Sequence, residues 1–277
     1  MAPHQDPTLE IPPPDHPSLT LEFCERFTER TLSTSRWIPH YLPHWTTPER
    51  SVARYALNAG ELNLQILAEQ PAWLPSDSML RVSNLQTGSF SGPLGSNRGQ
   101  SRHRSDLVVQ TPQPTVRLYA PNSPARVEAT LRATADPTCM LAFWLYGFEE
   151  TSAEESGEIC VVELFGDRTG SGGSRVGAEL SIGVKKHSDP NLKDEMEEIV
   201  IDGFDACEWH TYGAEWDTNE VRFYVDAMMV KVVPQGFTYE MQLTVSLFEF
   251  PIEGQERDPN KYPKMGYVKD VLGFRHL

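Results

Sequence analysis

Two glutamates and a cysteine stand close together in Gly157-Glu-Ile-Cys-Val-Val-Glu-Leu-Phe-Gly166, as Glu158, Cys160 and Glu163. Two carboxylates on one face of a sheet are what glycoside hydrolysis needs. One attacks or stabilises the anomeric carbon while the other protonates the leaving oxygen. A regular strand does not put them there: its period of two places Glu158, Cys160 and Val162 on one face and Glu163 on the other. A bulge around Val161 and Val162 restores the parity, because one extra residue turns over everything after it. The two glutamates then share a face, about 13 Å apart at roughly 3.3 Å per step. Strand curvature and leaning side chains must close that gap to about 5.5 Å for a retaining mechanism. An ordinary strand with exposed glutamates shows the same spacing, so the segment alone leaves both readings open.

The elements that must position this segment read as strands. Short alternating runs such as Gly60–Ile66, Ala125–Arg132, Glu179–Val184, Glu220–Val225 and Met241–Leu247 are bounded by Gly, Pro, Asn or Asp, and helical periodicity is scarce between them. The pattern predicts an all-β, two-sheet antiparallel sandwich. Residues 1–19 contain six prolines and few large apolar side chains, which predicts a flexible arm ahead of a single domain over 20–277. Two stretches break the pattern of short loops: 68–124 reads as a long loop, and 185–198 as a charged loop or short helix. The first carries a basic cluster, Arg98, Arg102, His103 and Arg104, that could grip a ligand.

Composition narrows the partners. The 277 residues are 39% hydrophobic and 23% charged, the balance of a folded chain, and the net charge is −15. Such a field repels phosphates, so nucleic acid and anionic membrane surfaces are excluded as expected partners, while a neutral sugar is unaffected. No apolar stretch is long enough to predict a membrane-spanning helix. The opening MAPHQDPTLEIPPPDHP has neither a basic start nor an apolar core, so no secretion signal is expected in the chain as written; location stays open between cytoplasmic and secreted. Four cysteines, Cys24, Cys139, Cys160 and Cys207, lack zinc spacing and read as buried thiols, Cys160 apart. Pro43 between His40 and His44 speaks against a helical metal face, and Gly170–Gly173 reads as a turn rather than a phosphate loop.

The wider pattern resembles glycoside hydrolase family 16. Gly157–Glu163 is similar to the family's E-[ILV]-D-x-x-E signature in the bulged form of laminarinase-like members. Met140-Leu-Ala-Phe-Trp-Leu-Tyr-Gly147 is similar to W-P-A-F-W-L-L-G, and the segment from Trp209 to Asp226 to F-H-x-Y-x-x-E-W-x-x-x-x-I-x-W-Y-V-D-G. Leu32-Ser-Thr-Ser-Arg-Trp37 resembles an early L-D-x-S-x-W. The resemblance implies a concanavalin A-like β-jelly roll with a concave carbohydrate-binding cleft. It implies a retaining endo-β-glycosidase acting as a monomer on a polysaccharide or oligosaccharide, above all a β-1,3- or β-1,3-1,4-glucan. A non-catalytic carbohydrate-binding protein and a transglycosylase are the alternatives.

Position by position, Glu158 matches the nucleophile, Glu163 the general acid/base, and Cys160 the aspartate between them. Trp144 matches a cleft tryptophan, and Met140 replaces a second one. With these, Arg102 and His103 are the expected substrate-binding residues, whereas Tyr212 and Trp216 are expected in the core. A neutral thiol in place of a carboxylate removes like-charge crowding, which predicts weakened catalysis or a more acidic optimum. No cofactor is expected: where the family pattern has a calcium-binding aspartate near the C-terminus, this chain has Lys269, which cannot ligate a hard cation, and only Asp270 could substitute.

Overall fold

Residues 125–132 become a strand over their whole length, with Ala125, Val127, Ala129 and Leu131 buried and the residues between them partly exposed. That alternation is how a sheet with one wet face reads. The computed structural model describes residues 19–58, 60–74, 79–170, 177–252 and 256–276. Its strands in chain order are β1 (Leu19–Glu25), β2 (Arg54–Leu57), β3 (Leu62–Ile66), β4 (Arg81–Gln86), β5 (Gly88–Ser89), β6 (Val116–Arg117), β7 (Ala125–Arg132) and β8 (Cys139–Gly147). They continue as β9 (Glu158–Phe165), β10 (Gly177–Lys185), β11 (Glu195–Asp202), β12 (His210–Trp216), β13 (Val221–Val225), β14 (Met228–Val233), β15 (Met241–Glu249) and β16 (Lys264–His276). Among the described residues the α-helix is a single turn, Pro48–Ser51.

The strands build two antiparallel sheets. One runs β14-β13-β12-β7-β16-β3-β2, with β1 paired to the end of β16 that β3 leaves free; the other runs β11-β10-β9-β8-β15-β4. Between them lies the main core. Leu141, Phe143 and Leu145 of β8 and Val161, Val162 and Leu164 of β9 pack there with Val127, Ala129 and Leu131 of β7. Tyr212 and Trp216 belong to this core, as expected.

A second apolar layer covers the other face of β8. Met140, Ala142, Trp144 and Tyr146 pack with Tyr41, Leu42, Trp45, Trp73 and Phe248. This explains why Cys139–Gly147 is apolar at nearly every position rather than alternating: β8 is buried on both faces. The outer face of the six-stranded sheet is therefore roofed over β8 by the segments around residues 41–45 and 73–74.

Three sequence expectations are corrected. The 68–124 stretch is not one loop, because Arg81–Gln86 is the edge strand β4. The 185–198 stretch is a hairpin: Lys185 ends β10, and β11 begins at Glu195. Leu19, assigned to the arm, opens β1. The rest of the expected arm and most of the Gly170–Gly173 turn lie outside the described residues. No helix among the described residues is long and apolar enough to cross a membrane.

Candidate active site

The bulge forms where the parity argument requires it. On β8, Phe143 faces Val162 and the next residue, Trp144, faces Cys160, so Val161 is the extra residue. Val161 and Val162 both enter the core. The outer face of β9 then carries Glu158, Cys160 and Glu163, opposite Tyr146, Trp144 and Ala142 of β8 and Lys185, Gly183 and Ser181 of β10. One carboxylate oxygen from each glutamate and the Cys160 sulfur all lie within 4.8 Å of one another. That is near the carboxylate separation of about 5–5.5 Å found in retaining glycosidases.

Sequence reasoning missed two residues of this site. Lys185 Nζ donates to Glu163 Oε1 at 2.7 Å and to Glu158 Oε1 at 3.2 Å. His187 Nε2 donates to Glu158 Oε2 at 2.8 Å, and the Cys160 thiol donates to Glu158 Oε1 at 2.9 Å. Lys185 reaches back along its strand over Gly183, which has no side chain to block it. Gly183 is required there: at φ +154° its added Cβ would meet the Glu195 carbonyl oxygen at 2.1 Å. Neither cation lies on the motif strand; both are brought in by pairing with β10. The available signal was Lys185 at the end of an alternating run, and only the register shows what it faces.

Burial and charge set the protonation of the group. Burial pushes Glu158 up, but the hydrogen bond from His187 and the nearby Lys185 ammonium outweigh it and bring the carboxyl down to about 2, so Glu158 is a carboxylate. Burial and the Glu158 charge hold the Cys160 thiol well above its ordinary value, hence neutral, as expected from the sequence. Burial alone would lower Lys185; the Glu158 and Glu163 carboxylates outweigh it and keep the ammonium charged. Burial likewise opposes the charged form of His187, and the Glu158 carboxylate raises it.

Beside His187 lies a cavity of about 210 Å³, lined by Arg98, Arg102, Glu149 and Ser156 among others. Ser101 N–H donates to Glu149 Oε1 at 2.5 Å. Burial raises the Glu149 carboxyl to about 7. Three non-glycine residues around this cavity, Ser101 (φ 50°), Glu149 (φ 55°) and His187 (φ 46°), adopt the left-handed conformation. Such strain costs about 1–3 kcal/mol per residue and gathers at functional sites.

The expected substrate-binding residues divide. Arg102 reaches the cavity, with its guanidinium anchored to the Leu107 and Ser105 carbonyls. His103 is exposed, with its ring 5.3 Å from that of Trp73. Trp144 lies beside Cys160 but is 6% exposed, stacks on Tyr146 at 4.8 Å and donates its N–H to Ser246, so little of its face is open to a sugar. Met140 is buried in the same layer. His40 bonds Ser51, while buried His44 bonds the Gln100 carbonyl and is lowered to about 4 by burial. Asp270 accepts the Thr130 hydroxyl at 2.8 Å, and its neighbour Lys269 is exposed. The glutamate and cysteine trio already holds the Lys185 ammonium.

Residues 122–252 match the model of glycosyl hydrolases family 16. No curated protein matches. Among solved structures, the chain is similar to a GlcNAcα1-4Gal-releasing endo-β-galactosidase from Clostridium perfringens, with 21% identity and TM-score 0.78 over 97% of this chain. This chain spans 65% of that neighbour's length. It is also similar to an endo-β-1,3-glucanase from Pyrococcus furiosus, with 14% identity and TM-score 0.65, covering 94% of this chain and 95% of that one. A β-glucanase from Bacillus licheniformis gives 15% identity and TM-score 0.59, covering 92% and 98%.

Proposed function

We propose that this chain, whose residues 122–252 match the model of glycosyl hydrolases family 16, is a retaining endo-β-glycosidase of that family acting on a β-linked polysaccharide, first of all a β-1,3- or β-1,3-1,4-glucan. The observation that carries the reading is the pair of carboxylates within 4.8 Å of each other on the outer face of β9. Glu158, ionised and held by His187 and Cys160, is placed to attack the anomeric carbon. Glu163, protonated at that moment, gives its proton to the leaving glycosidic oxygen as the bond to the sugar breaks. Glu163 as carboxylate then takes a proton from water, whose oxygen displaces Glu158 from the anomeric carbon and returns both groups to their starting states.

The neighbour of higher TM-score is a galactosidase, so β-galactans belong in the test beside glucans. The experiment is reducing-sugar release from laminarin, lichenan, xyloglucan, agarose and a β-1,4-galactan between pH 4 and 8, for the wild type and Glu158→Gln. Products from one polymer class are expected, with activity lost by at least about a thousandfold in the variant. Binding in affinity gels without products from any polymer would establish the non-catalytic alternative instead.

A further inference from the structure

The cavity beside His187 is lined by two guanidiniums that no carboxylate neutralises. Arg98 donates to the Glu150 carbonyl at 2.6 Å and lies over the Phe90 ring, while Arg102 is anchored on the Leu107 and Ser105 carbonyls. Two acids of the adjoining segments are taken elsewhere, the Glu150 carboxylate by Arg117 and Thr115 and Asp106 by Arg104. Among the described residues, neither guanidinium has a carboxylate oxygen within 4.0 Å. We propose that this cavity binds an oxyanion carried by the substrate, a sulfate ester or a carboxylate, on the sugar over Glu158 or on the one beside it. The proposal rests on the glycosidase reading for the reaction and adds to it a charged group on the polymer.

Position, size and donor geometry agree. His187 walls the cavity and donates to Glu158 Oε2 at 2.8 Å, so whatever fills the cavity stands next to the residue placed to attack the sugar. The volume of about 210 Å³ lies below the roughly 300–1,000 Å³ of pockets that enclose a whole small-molecule ligand, and it suits a single substituent rather than a stretch of chain. A guanidinium has five N–H donors, of which Arg98 spends one on the protein and Arg102 two. The others match the paired oxygens of a sulfate or carboxylate. A neutral hydroxyl would meet the same donors and leave both charges uncompensated.

Among the described residues, the one acid on the cavity wall is Glu149. One of its oxygens accepts the Ser101 N–H, and burial raises its carboxyl to about 7, so in mildly acidic solution it is protonated and donates to an oxyanion instead of repelling it. This local excess of positive charge is set in a chain of 39 acidic and 24 basic residues, whose overall field repels polyanions. A preference for a charged polymer therefore has to come from a local site and not from the surface at large.

The test uses two matched pairs of polymers: a sulfated β-galactan with the same polymer after desulfation, and a uronate-bearing β-glycan with its carboxyl-reduced form. Affinity electrophoresis at pH 6 of Glu158→Gln, which binds polymer without cutting it, reads affinity, and reducing-sugar release by the wild type reads kcat/KM on the same four polymers. Binding at least about tenfold tighter to a charged member than to its neutral form is expected, and the preference is lost when Arg98→Gln and Arg102→Gln are added. The pair that shows it tells sulfate from carboxylate. Arg98 is exposed, so Arg98→Gln alone, expected to lose at least about half of the preference on a logarithmic scale, decides if the Arg102 variant fails to fold. Equal affinity within both pairs, absence of binding to all four polymers, or a preference that survives in the folded arginine variants overturns the proposal. A preference removed by the arginine variants, in a protein whose wild type releases no sugar from any polymer, would leave the anion site standing and overturn the proposed function alone.

Discussion

Two glutamates, one on each sheet, are buried to the same 6% exposure and serve opposite ends. Glu215 of β12 lies among fixed guanidinium groups: Arg126 at 3.3 Å and Arg222 at 3.1 Å, with His276 at 3.5 Å. Each arginine is itself held by a further carboxylate, Arg126 by Glu128 and Arg222 by Glu220. Arg126 also lies over the Tyr224 ring. The planar forks leave that network little freedom, and its charges are satisfied on every side. Glu158 has instead a flexible lysine that it must share with Glu163, an imidazole and a thiol. The same residue at the same depth is structural where cations are rigid and redundant. Where one ammonium is shared between two carboxylates, the pair keeps a choice of partners, which is what chemistry requires.

The contrast breaks most visibly through Glu163. Glu163→Gln removes the group that must give and take the proton, and polymer hydrolysis is expected to fall by roughly 10²–10⁴-fold while the thermal midpoint stays close to wild type. A large loss of stability with it would place Glu163 with Glu215 as a structural residue. Next comes the neighbouring carboxyl, Glu149, raised from 4.5 unfolded to about 7 folded. A raised carboxyl contributes stability that is fully present below the unfolded value and is lost as pH rises through the folded one. Glu149→Gln should therefore match wild type near pH 4 and exceed it by on the order of 2 kcal/mol at pH 8, measured by urea unfolding at the two pH values. A constant difference between variant and wild type across that range would show that Glu149 titrates alike in the folded and unfolded chain. The smallest effect is expected at Glu215→Gln, which leaves the forks short of one charge. Stability should drop by about 1–2 kcal/mol with kcat/KM unchanged, so a kinetic change there would erase the distinction between the two sheets.

What could be read beforehand followed the range of the physical signal. Ala125–Arg132 and Met241–Leu247 were legible because local alternation reports a strand directly, and the Glu158–Glu163 bulge because two carboxylates on opposite faces had no use together. Arg81–Gln86 was hidden: Asn84 and Gln86 are buried polar residues, bonded to the His40 carbonyl and the Gly88 carbonyl, and in sequence they look like loop. Trp144 stands on the same face as Ala142 and Tyr146, yet its covering by Tyr41, Trp45 and Trp73 comes from residues about 70–100 positions away, a contact that no local pattern encodes. Lys185 escaped for the same reason, since its role depends on the register between β9 and β10.

Val161 gives the site an arithmetic of its own. Excising that one codon would remove the bulge and leave a regular strand in which Glu158, Cys160 and Glu163 still share the outer face, whereas straightening the bulge at its present length would rotate Glu163 inward among the valines and leucines of the sandwich. A carboxylate in that interior has no partner. In any lineage of such chains, then, a one-residue gap at this bulge would keep the two glutamates on one face, and strand length and bulge must change together.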